Sequence, residues 1–455
     1  METVFTQSIW GDEGFSAVLS MKSLPQIIEI ISRDTSPPLW NIFEWLVFNT
    51  LGTSEVYIRG LAFTFFLGTV FFTYKIANFL YSRKTALWAA ALTFFNPFFF
   101  TYAFEGRMYS IMAFGVAGSM YYYLRLFNTE DAIAKKDKLL YVVFTLWGLY
   151  SHHFAIFSVM VQALWFLYEI TFGKRIRAKK VFRLFVITGI LYLPWLYPLY
   201  TQTKQVAGGF WLGTPNVKDL RNLLYEYLAE GIKDDGLKLP NLNTTLHQAS
   251  LYLVFMVLLV KRWFSGVKRV LFFALWFLGP ILITYLVSQK FQSIFYNRYL
   301  LYTIPGAMLI LASTKRRLSL VPLTLLLIFW GIIDYNYFTH PKKLPFRQLA
   351  EFVKSDMQSG DYLINWNSSS HHIWETKYYG IPAPIYIPEG SGDLPFFVGT
   401  ALMEKGDIIR KIPEGTKRVG VVTSGPVEEI NLPGYTRLSL HNFGRAKFAW
   451  YGVDF

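Results

Sequence analysis

Long apolar segments recur along most of the chain, and they constrain its fold more than any other feature. A helix needs about 20 mostly apolar residues to cross the hydrocarbon core of a bilayer. Only 16% of the 455 residues are charged, whereas about a quarter of a soluble chain would be. The segments that approach spanning length are Val56–Leu80, Ala86–Phe104, Met108–Phe127, Leu139–Ser151, Phe154–Phe172, Val181–Tyr200, Ala249–Phe264, Val270–Ser288, Tyr299–Thr314 and Leu318–Phe338. The sequence therefore predicts a polytopic α-helical membrane protein with about ten spans.

Basic residues follow every second span, and this alternation predicts the orientation. Cytoplasmic loops carry an excess of Lys and Arg. The basic loops contain Arg83, Lys84, Lys135, Lys136, Lys138, Lys174, Arg175, Arg177, Lys179, Lys180, Lys261, Arg262, Lys268, Arg269, Lys315, Arg316 and Arg317. Residues 1–55 and everything after Phe338 are then external, in what we expect to be a prokaryotic plasma (inner) membrane. Because topology accounts for much of the +14 net charge, no nucleic-acid partner is expected.

The external N-terminus raises a question of its own. Residues 1–8 contain neither a signal peptide nor a spanning segment. Moving a tail of this length with its charged groups through lipid is costly. We therefore expect a helix to precede this sequence, the alternative being that the first span carries the tail across.

Acids, arginines and histidines gather in the loops predicted to be external. They occur in five motifs, WGDEGFS with Asp12 and Glu13, DTSPPLW with Asp34, EGRMYS with Glu105, Arg107 and Tyr109, SHHFA with His153, and NRYLLYTIP with Arg298. Each has a simpler interpretation as a solvated acid, a turn or cap residue, an ion pair or an interfacial anchor. Adjacent histidines cannot share a helix face, so at most one of the pair is expected in any site. Together the motifs provide what a phosphate-bearing, membrane-resident substrate needs, since the planar fork of arginine binds phosphate.

The five motifs follow one another in the order and rough spacing of a known superfamily. Over residues 8–340 the chain resembles the polyprenyl-phosphate-dependent glycosyltransferases of the GT-C superfamily. It looks most like bacterial and archaeal relatives of dolichyl-phosphate-mannose protein mannosyltransferases and of the lipid A aminoarabinose transferase. The motifs are fairly specific for the superfamily and do not indicate the sugar.

The resemblance implies a function and a set of site residues. The enzyme would move a hexosyl or pentosyl group from a polyprenyl-phosphate donor to a protein, lipid or glycan acceptor on the outer face. The implied catalytic acids are Asp12, with Glu13 in support, and Asp34. The implied contacts to the donor phosphate are Arg107, His153 and Arg298. Glu105 and Tyr109 would bind substrate. Some relatives use a divalent metal and others do not, so a metal remains open.

The composition changes after Phe338, where Gly, Pro and charged residues become more frequent. Amphipathic periodicity predicts a helix over Leu344–Gln358, and His371–Tyr379 is a second candidate helix. The predicted strands are Asp361–Trp366, Arg418–Thr423, Tyr435–Leu440 and Ala446–Gly452. We expect a small external α/β domain, in which His371 and His372 are more simply surface residues than metal ligands. The predicted domains are an external first loop (1–55), a transmembrane glycosyltransferase domain (56–338) and an external α/β domain (339–455).

A polytopic transporter or flippase of a lipid-linked sugar is the alternative function. Transporters tend to place charges at the bilayer midplane and to contain internal repeats with broken helices. Here the charges collect at the outer rim and the sequence shows no repeat. This distribution favours the enzyme.

Overall fold

The computed structural model describes residues 2–128, 134–173, 175–232, 240–260, 266–313 and 319–453. Six basic residues that contribute to the predicted orientation lie outside these ranges: Lys174, Lys261, Arg262, Lys315, Arg316 and Arg317. The chain divides into two compact units. The sheet unit comprises Met1–Asp34, Asn41–Ile58 and Pro341–Phe455, and the helical unit comprises Thr35–Trp40 and Arg59–His340.

Helices dominate the chain before His340. Their bounds are α1 Gly11–Ser20, α2 Leu24–Ser32, α3 Leu39–Thr50, α4 Glu55–Leu80, α5 Arg83–Phe94, α6 Pro97–Thr101, α7 Tyr109–Asn128, α8 Lys135–Ser151, α9 Ala155–Phe172, α10 Arg175–Tyr192, α11 Leu196–Ala207, α12 Val217–Tyr225, α13 Pro240–Val260, α14 Val267–Ser288, α15 Asn297–Leu300, α16 Ile304–Ala312 and α17 Leu320–Thr339. Each predicted span overlaps at least one of these helices.

The apolar helices confirm an integral membrane protein, but they do not confirm the predicted count of ten spans. Within the described residues, five helical stretches are long and apolar enough to cross a membrane: α4, α9, Val181–Ala207, α14 and α17. The pair α5 and Pro97–Phe104, bent by 54°, would make six if it forms one span. The predicted span Leu139–Ser151 belongs to α8, a helix of 17 residues that begins with the charged sequence KKDK. In the described part of the predicted span Tyr299–Thr314, the end of α15 and a 3-10 turn precede α16, a helix of nine residues.

Small and polar residues bring α7 and α8 close together. A Cβ atom built on Gly115 of α7 would lie only 2.5 Å from the backbone nitrogen of Gly148 in α8. Between the same two helices, the Ser119 and Thr145 hydroxyls lie 2.7 Å apart. Small residues and hydroxyls of this kind are typical of helix contacts in membranes, where apolar burial gives no net attraction. Their packing holds Tyr109, at the start of α7, near the end of α8, where candidate site residues follow.

The C-terminal region of the sheet unit is a mixed α/β domain, as predicted. It contains the helices α18 Phe346–Asp356 and α19 His372–Tyr378 and the strands β1 Asp361–Trp366, β2 Ile385–Tyr386, β3 Ile408–Ile409, β4 Arg418–Thr423, β5 Tyr435–Phe443 and β6 Ala446–Val453. The strand order is β3-β2-β1-β4-β6-β5. The first four strands in this order pair in parallel, and β6 pairs antiparallel with β4 and with β5.

Alternation along the central strands provides a core on both faces of the sheet. Leu363 of β1 packs with Phe346 of α18 on one face. Its neighbour Ile364 packs with Val421 of β4 on the other. Successive side chains of a strand point to opposite faces, so the apolar run in each parallel strand predicts burial on both sides.

The N-terminal helix α1 packs directly on α19 within the sheet unit. A Cβ atom on Gly14 would lie 2.9 Å from the carbonyl carbon of Trp374. Phe15 and Trp374 form an edge-to-face ring pair with centroids 5.4 Å apart. The backbone N–H of Ile9 also donates to the Tyr379 hydroxyl at 2.9 Å. Residues of the predicted first loop therefore share a core with residues of the predicted C-terminal domain.

Candidate active site

Arg298 lies in a cage of tyrosine rings at the start of α15, in the helical unit. Its guanidinium carbon is 5.0 Å from the ring centroid of Tyr296, 5.6 Å from that of Tyr109 and 5.9 Å from that of Tyr299. The faces of aromatic rings attract a cation at these distances. Arg298 is only half-buried. The cage, defined by these three tyrosines, therefore orients an arginine that still reaches solvent.

His152 adjoins the tyrosine cage and is influenced by the charges of two arginines. Its ring centroid lies 5.0 Å from that of Tyr299. Burial lowers the pKa of His152 well below its usual value, and the charges of His153, Arg107 and Arg298 lower it further. The His152 Nδ1 atom accepts a hydrogen bond from the Phe154 backbone N–H at 3.1 Å, as a neutral imidazole can. Arg107 and Arg298 therefore both act electrostatically on one neutral histidine.

His153 has a different environment from its neighbour. Its Nε2 atom lies 2.6 Å from Oε1 of Gln202, and the Gln202 amide donates to the Ser36 carbonyl at 3.5 Å. Burial lowers the pKa of His153 to about 4, although the hydrogen bond with Gln202 opposes this effect. His153 is therefore neutral at neutral pH. Arg107 and Arg298 therefore remain the cationic candidates of the predicted set.

The turn before α7 brings Glu105 to the same group of residues. The backbone N–H of Arg107 donates to the Glu105 carbonyl at 2.7 Å, which closes a tight turn. Glu105 is buried, and Tyr102 is within electrostatic range of both Glu105 and Arg298. The predicted residues Glu105, Arg107, Tyr109 and Arg298 thus lie in one neighbourhood of the helical unit.

The candidate catalytic acids belong to the sheet unit. Asp12 and Glu13 lie in the first turn of α1, where a negative charge favours the helix dipole. Their environments differ, because Asp12 is half-buried whereas Glu13 is 0% exposed. Asp34 follows α2 and is buried, and its backbone N–H donates to the Ile31 carbonyl at 3.2 Å. Of the three acids, Asp12 is half-buried, whereas Glu13 and Asp34 are buried.

Sequence reasoning missed a buried acid that fixes α1. Glu44 of α3 accepts hydrogen bonds from the hydroxyls of Ser16 and Ser20, both at 2.7 Å. The amide of Asn41 donates to the Ser20 hydroxyl at 3.0 Å and to the Ser16 carbonyl at 3.3 Å. A glutamate inside an apolar helix was the available signal. This network orients the helix that carries Asp12.

The acids do not form a metal centre with the described histidines. Within the part of the chain that the structure describes, no three His, Cys, Asp or Glu side chains are grouped so that they could hold a metal ion.

The fold, in which long apolar helices are combined with an α/β domain, is similar to the folds of two solved proteins. The structure of ArnT from Cupriavidus metallidurans in the apo state is similar with a TM-score of 0.65, at 11% identity over 98% of this chain and 94% of that one. The archaeal oligosaccharyltransferase AglB from Archaeoglobus fulgidus, in complex with an inhibitory peptide and a dolichol-phosphate, is similar with a TM-score of 0.50, at 12% identity over 84% of this chain and 61% of that one.

These similarities confirm the predicted fold, because ArnT and AglB are both GT-C enzymes. At 11% and 12% identity they establish the fold and not the reaction. No protein-family profile matches the chain, and no curated protein matches it by sequence.

Proposed function

We propose that this protein is a membrane glycosyltransferase that moves a sugar from a polyprenyl-phosphate donor to an acceptor on the outer face of a prokaryotic plasma membrane. The observation that carries the proposal is the caged Arg298 with Arg107 nearby, in a chain that has the fold of ArnT over 98% of its length. Paired guanidinium groups suit a phosphate. The complex of AglB with a dolichol-phosphate supports this class of donor.

Arg107 and Arg298 bind the donor phosphate and stabilise the charge that grows on it. As the bond between the sugar and the phosphate breaks, the phosphate gains negative charge, which preorganised cations stabilise. Neutral His153 contributes hydrogen bonding without charge. Glu105 and Tyr109 flank the arginines and contact the substrate. We place the lipid tail along the apolar helices of the bilayer.

Asp12 is the catalytic base in this proposal. Its carboxylate removes the proton of an acceptor hydroxyl, whose oxygen attacks the anomeric carbon while the phosphate leaves with the bonding electrons. A positioned base of this kind contributes about 10²–10⁴-fold to the rate. Glu13 supports the helix turn that presents Asp12, and Asp34 is the second carboxylate of the site. The half-buried position of Asp12 supports its choice over Glu13.

The test uses the purified full-length chain with radiolabelled polyprenyl-phosphate sugars and a membrane extract as the acceptor source. Asp12→Asn should reduce transfer by about 10²-fold or more, because a base is lost. Glu29→Gln is the matched control, since Glu29 is an exposed acid of α2 with a side chain that is 70% accessible. Undiminished transfer by Asp12→Asn would remove Asp12 from the mechanism. If no donor is bound or consumed, the proposed function is wrong.

A further inference from the structure

A second group of reactive side chains lies in the sheet unit, at the carboxyl ends of the parallel strands β1 and β4. The segment after β1 carries Ser369, Ser370 and His372, and the residue directly after β4 is Ser424. In α/β sheets, ligands bind beyond the carboxyl ends of the parallel strands. This second group shares no residue with the proposed donor site.

Ser424 and His372 form a continuous series of hydrogen bonds with Glu375 of α19. The Ser424 Oγ atom lies 3.0 Å from Nε2 of His372. The other ring nitrogen, Nδ1, lies 3.1 Å from Oε2 of Glu375. His372 and Glu375 are three residues apart on α19, a spacing that places both on one face of a helix. The order is a hydroxyl, an imidazole and a carboxylate, each within hydrogen-bond reach of the next.

The solvent exposure of the three side chains decreases from the serine to the carboxylate, as nucleophilic catalysis by the serine requires. Ser424 is exposed, whereas the side chains of His372 and Glu375 are 10% and 3% accessible. The ring of Phe346 lies 4.7 Å from the imidazole, centroid to centroid, and restricts its rotation. A solvent-facing hydroxyl is therefore backed by a histidine whose orientation is fixed by a ring and a carboxylate.

The backbone at Ser424 is also held in place. Its N–H donates to the Ser369 Oγ atom at 3.0 Å, and the following N–H, of Gly425, donates to Thr423 Oγ1 at 3.0 Å. Both amides are therefore already engaged. Lys447, which pairs with Thr423 across β4 and β6, donates from Nζ to the Gly425 carbonyl at 3.0 Å. A cation thus lies beside the residue that follows Ser424.

We propose that Ser424, His372 and Glu375 form a second catalytic site, which hydrolyses carboxylic esters through an acyl-enzyme. A hydroxyl, a histidine and a carboxylate in this geometry are recognised by their roles and not by their order in the sequence. The positive charge of Lys447 serves the oxyanion that develops on the ester carbonyl, in place of the engaged backbone amides.

The reaction balances with water as the only co-reactant. Ser424 Oγ attacks the ester carbonyl carbon, and its proton passes to His372 Nε2 while Glu375 holds the Nδ1 proton. The carbon–oxygen bond to the alcohol breaks, and the alcohol leaves with the proton from Nε2. Water then attacks the acyl-serine, gives its proton to His372 and releases the acid, and the serine recovers its proton.

The test is covalent labelling of the full-length protein in detergent with a fluorophosphonate probe, read by peptide mass spectrometry. We expect an adduct on Ser424 that forms more slowly as the pH is lowered, since a protonated imidazole cannot accept the serine proton. Ser424→Ala should abolish the adduct, and Ser368→Ala should retain it, because Ser368 is an exposed serine in the 3-10 turn after β1. Ser424→Ala should likewise abolish the hydrolysis of p-nitrophenyl acetate, and Ser368→Ala should retain it.

Two further variants separate catalysis from folding. His372→Gln and Glu375→Gln should slow labelling by about tenfold or more, as expected for loss of a base or its orienting group. If either variant has a lowered melting temperature, the pH profile of the wild type and the result for Ser424→Ala decide whether the site is catalytic. The proposal is overturned if Ser424 reacts no faster than Ser368, or if its rate is independent of pH. Labelling of Ser424 needs no polyprenyl-phosphate donor, so failure of the proposed transferase activity is distinguishable from failure of this site.

Discussion

Arginine at position 298 has a specific physical advantage over lysine. A guanidinium group stacks on aromatic faces and offers a planar fork to phosphate, whereas an ammonium group is a strongly hydrated point charge. The three rings of the tyrosine cage match the flat guanidinium. We therefore expect Arg298→Lys to weaken binding of a polyprenyl phosphate by roughly tenfold, the lower range for a lost hydrogen bond to a charged group. Native mass spectrometry or tryptophan fluorescence measures the affinity.

The matched control for Arg298 is Arg221 in the same unit. Arg221 is exposed and lies 6.0 Å from the ring of a single tyrosine, Tyr225. Arg221→Lys should leave the affinity unchanged. Equal affinities for Arg298→Lys and the wild type would show that the caged guanidinium does not contribute to binding of the phosphate.

His153 predicts how the stability of the protein depends on pH. Its pKa is lowered to about 4 in the folded chain, whereas the pKa of a histidine in the unfolded chain is about 6.5. Between these values the unfolded state binds a proton that the folded state does not. The stabilisation is therefore full above about pH 6.5 and is lost as the pH falls towards the folded pKa. The melting temperature in detergent should decline over this range.

A substitution isolates the contribution of His153. His153→Gln should make the acid-side decline in melting temperature less steep, because it removes one buried group that must take up a proton. Arg221→Lys, at an exposed residue of the same unit as His153, is the control and should retain the wild-type slope. Parallel curves for His153→Gln and the wild type would contradict the assignment.

At the scale of elements, α1 and α19 can approach closely because Gly14 has no side chain. The Cβ atom of an alanine would lie 2.9 Å from the carbonyl carbon of Trp374, and backbone cannot move aside as a flexible side chain can. Gly14→Ala should lower the free energy of unfolding by about 1–3 kcal/mol, the usual cost of overpacking. It should also reduce sugar transfer, since α1 carries Asp12. Thermal unfolding and the transfer assay measure the two effects.

Gly392→Ala is the control for this contact. A Cβ atom at Gly392 would have no neighbour within 4 Å, and the backbone there is not in the left-handed region. Its unfolding should match that of the wild type. If Gly14→Ala unfolds at the same temperature as Gly392→Ala, close packing of α1 on α19 does not contribute to stability.

For the whole molecule, the orientation in the membrane is the property that most constrains function. The chain contains no cysteine, so each introduced cysteine is the only reactive thiol. The alternation of basic loops predicts that Glu414→Cys, in the C-terminal region, reacts with a membrane-impermeant maleimide added outside intact cells. Lys84→Cys, at an exposed residue in the first turn of α5, should react only after the membrane is opened. The opposite pattern would place the proposed site on the cytoplasmic side.

Periodicity and length predicted local elements well and their boundaries unevenly. The strands Asp361–Trp366 and Arg418–Thr423 begin and end as predicted, because short runs rich in β-branched and aromatic residues and bounded by turn-forming residues are typical of strands. The count of spans was less predictable. Apolar length does not distinguish a straight span from α5 and Pro97–Phe104, which are bent by 54°, or from a short helix such as α16.

The sequence alone determined that this chain enters a membrane through apolar helices and ends in an α/β domain, because these properties depend on local hydrophobic pattern. It also identified Arg107, Tyr109 and Arg298 as candidates, although not the tyrosine cage that orients Arg298. Only the tertiary structure decided which polar groups meet. Ser424 and His372 are 52 residues apart and hydrogen-bond through the order of strands in the sheet. Contacts between distant residues depend on how elements pack, and no local pattern encodes that.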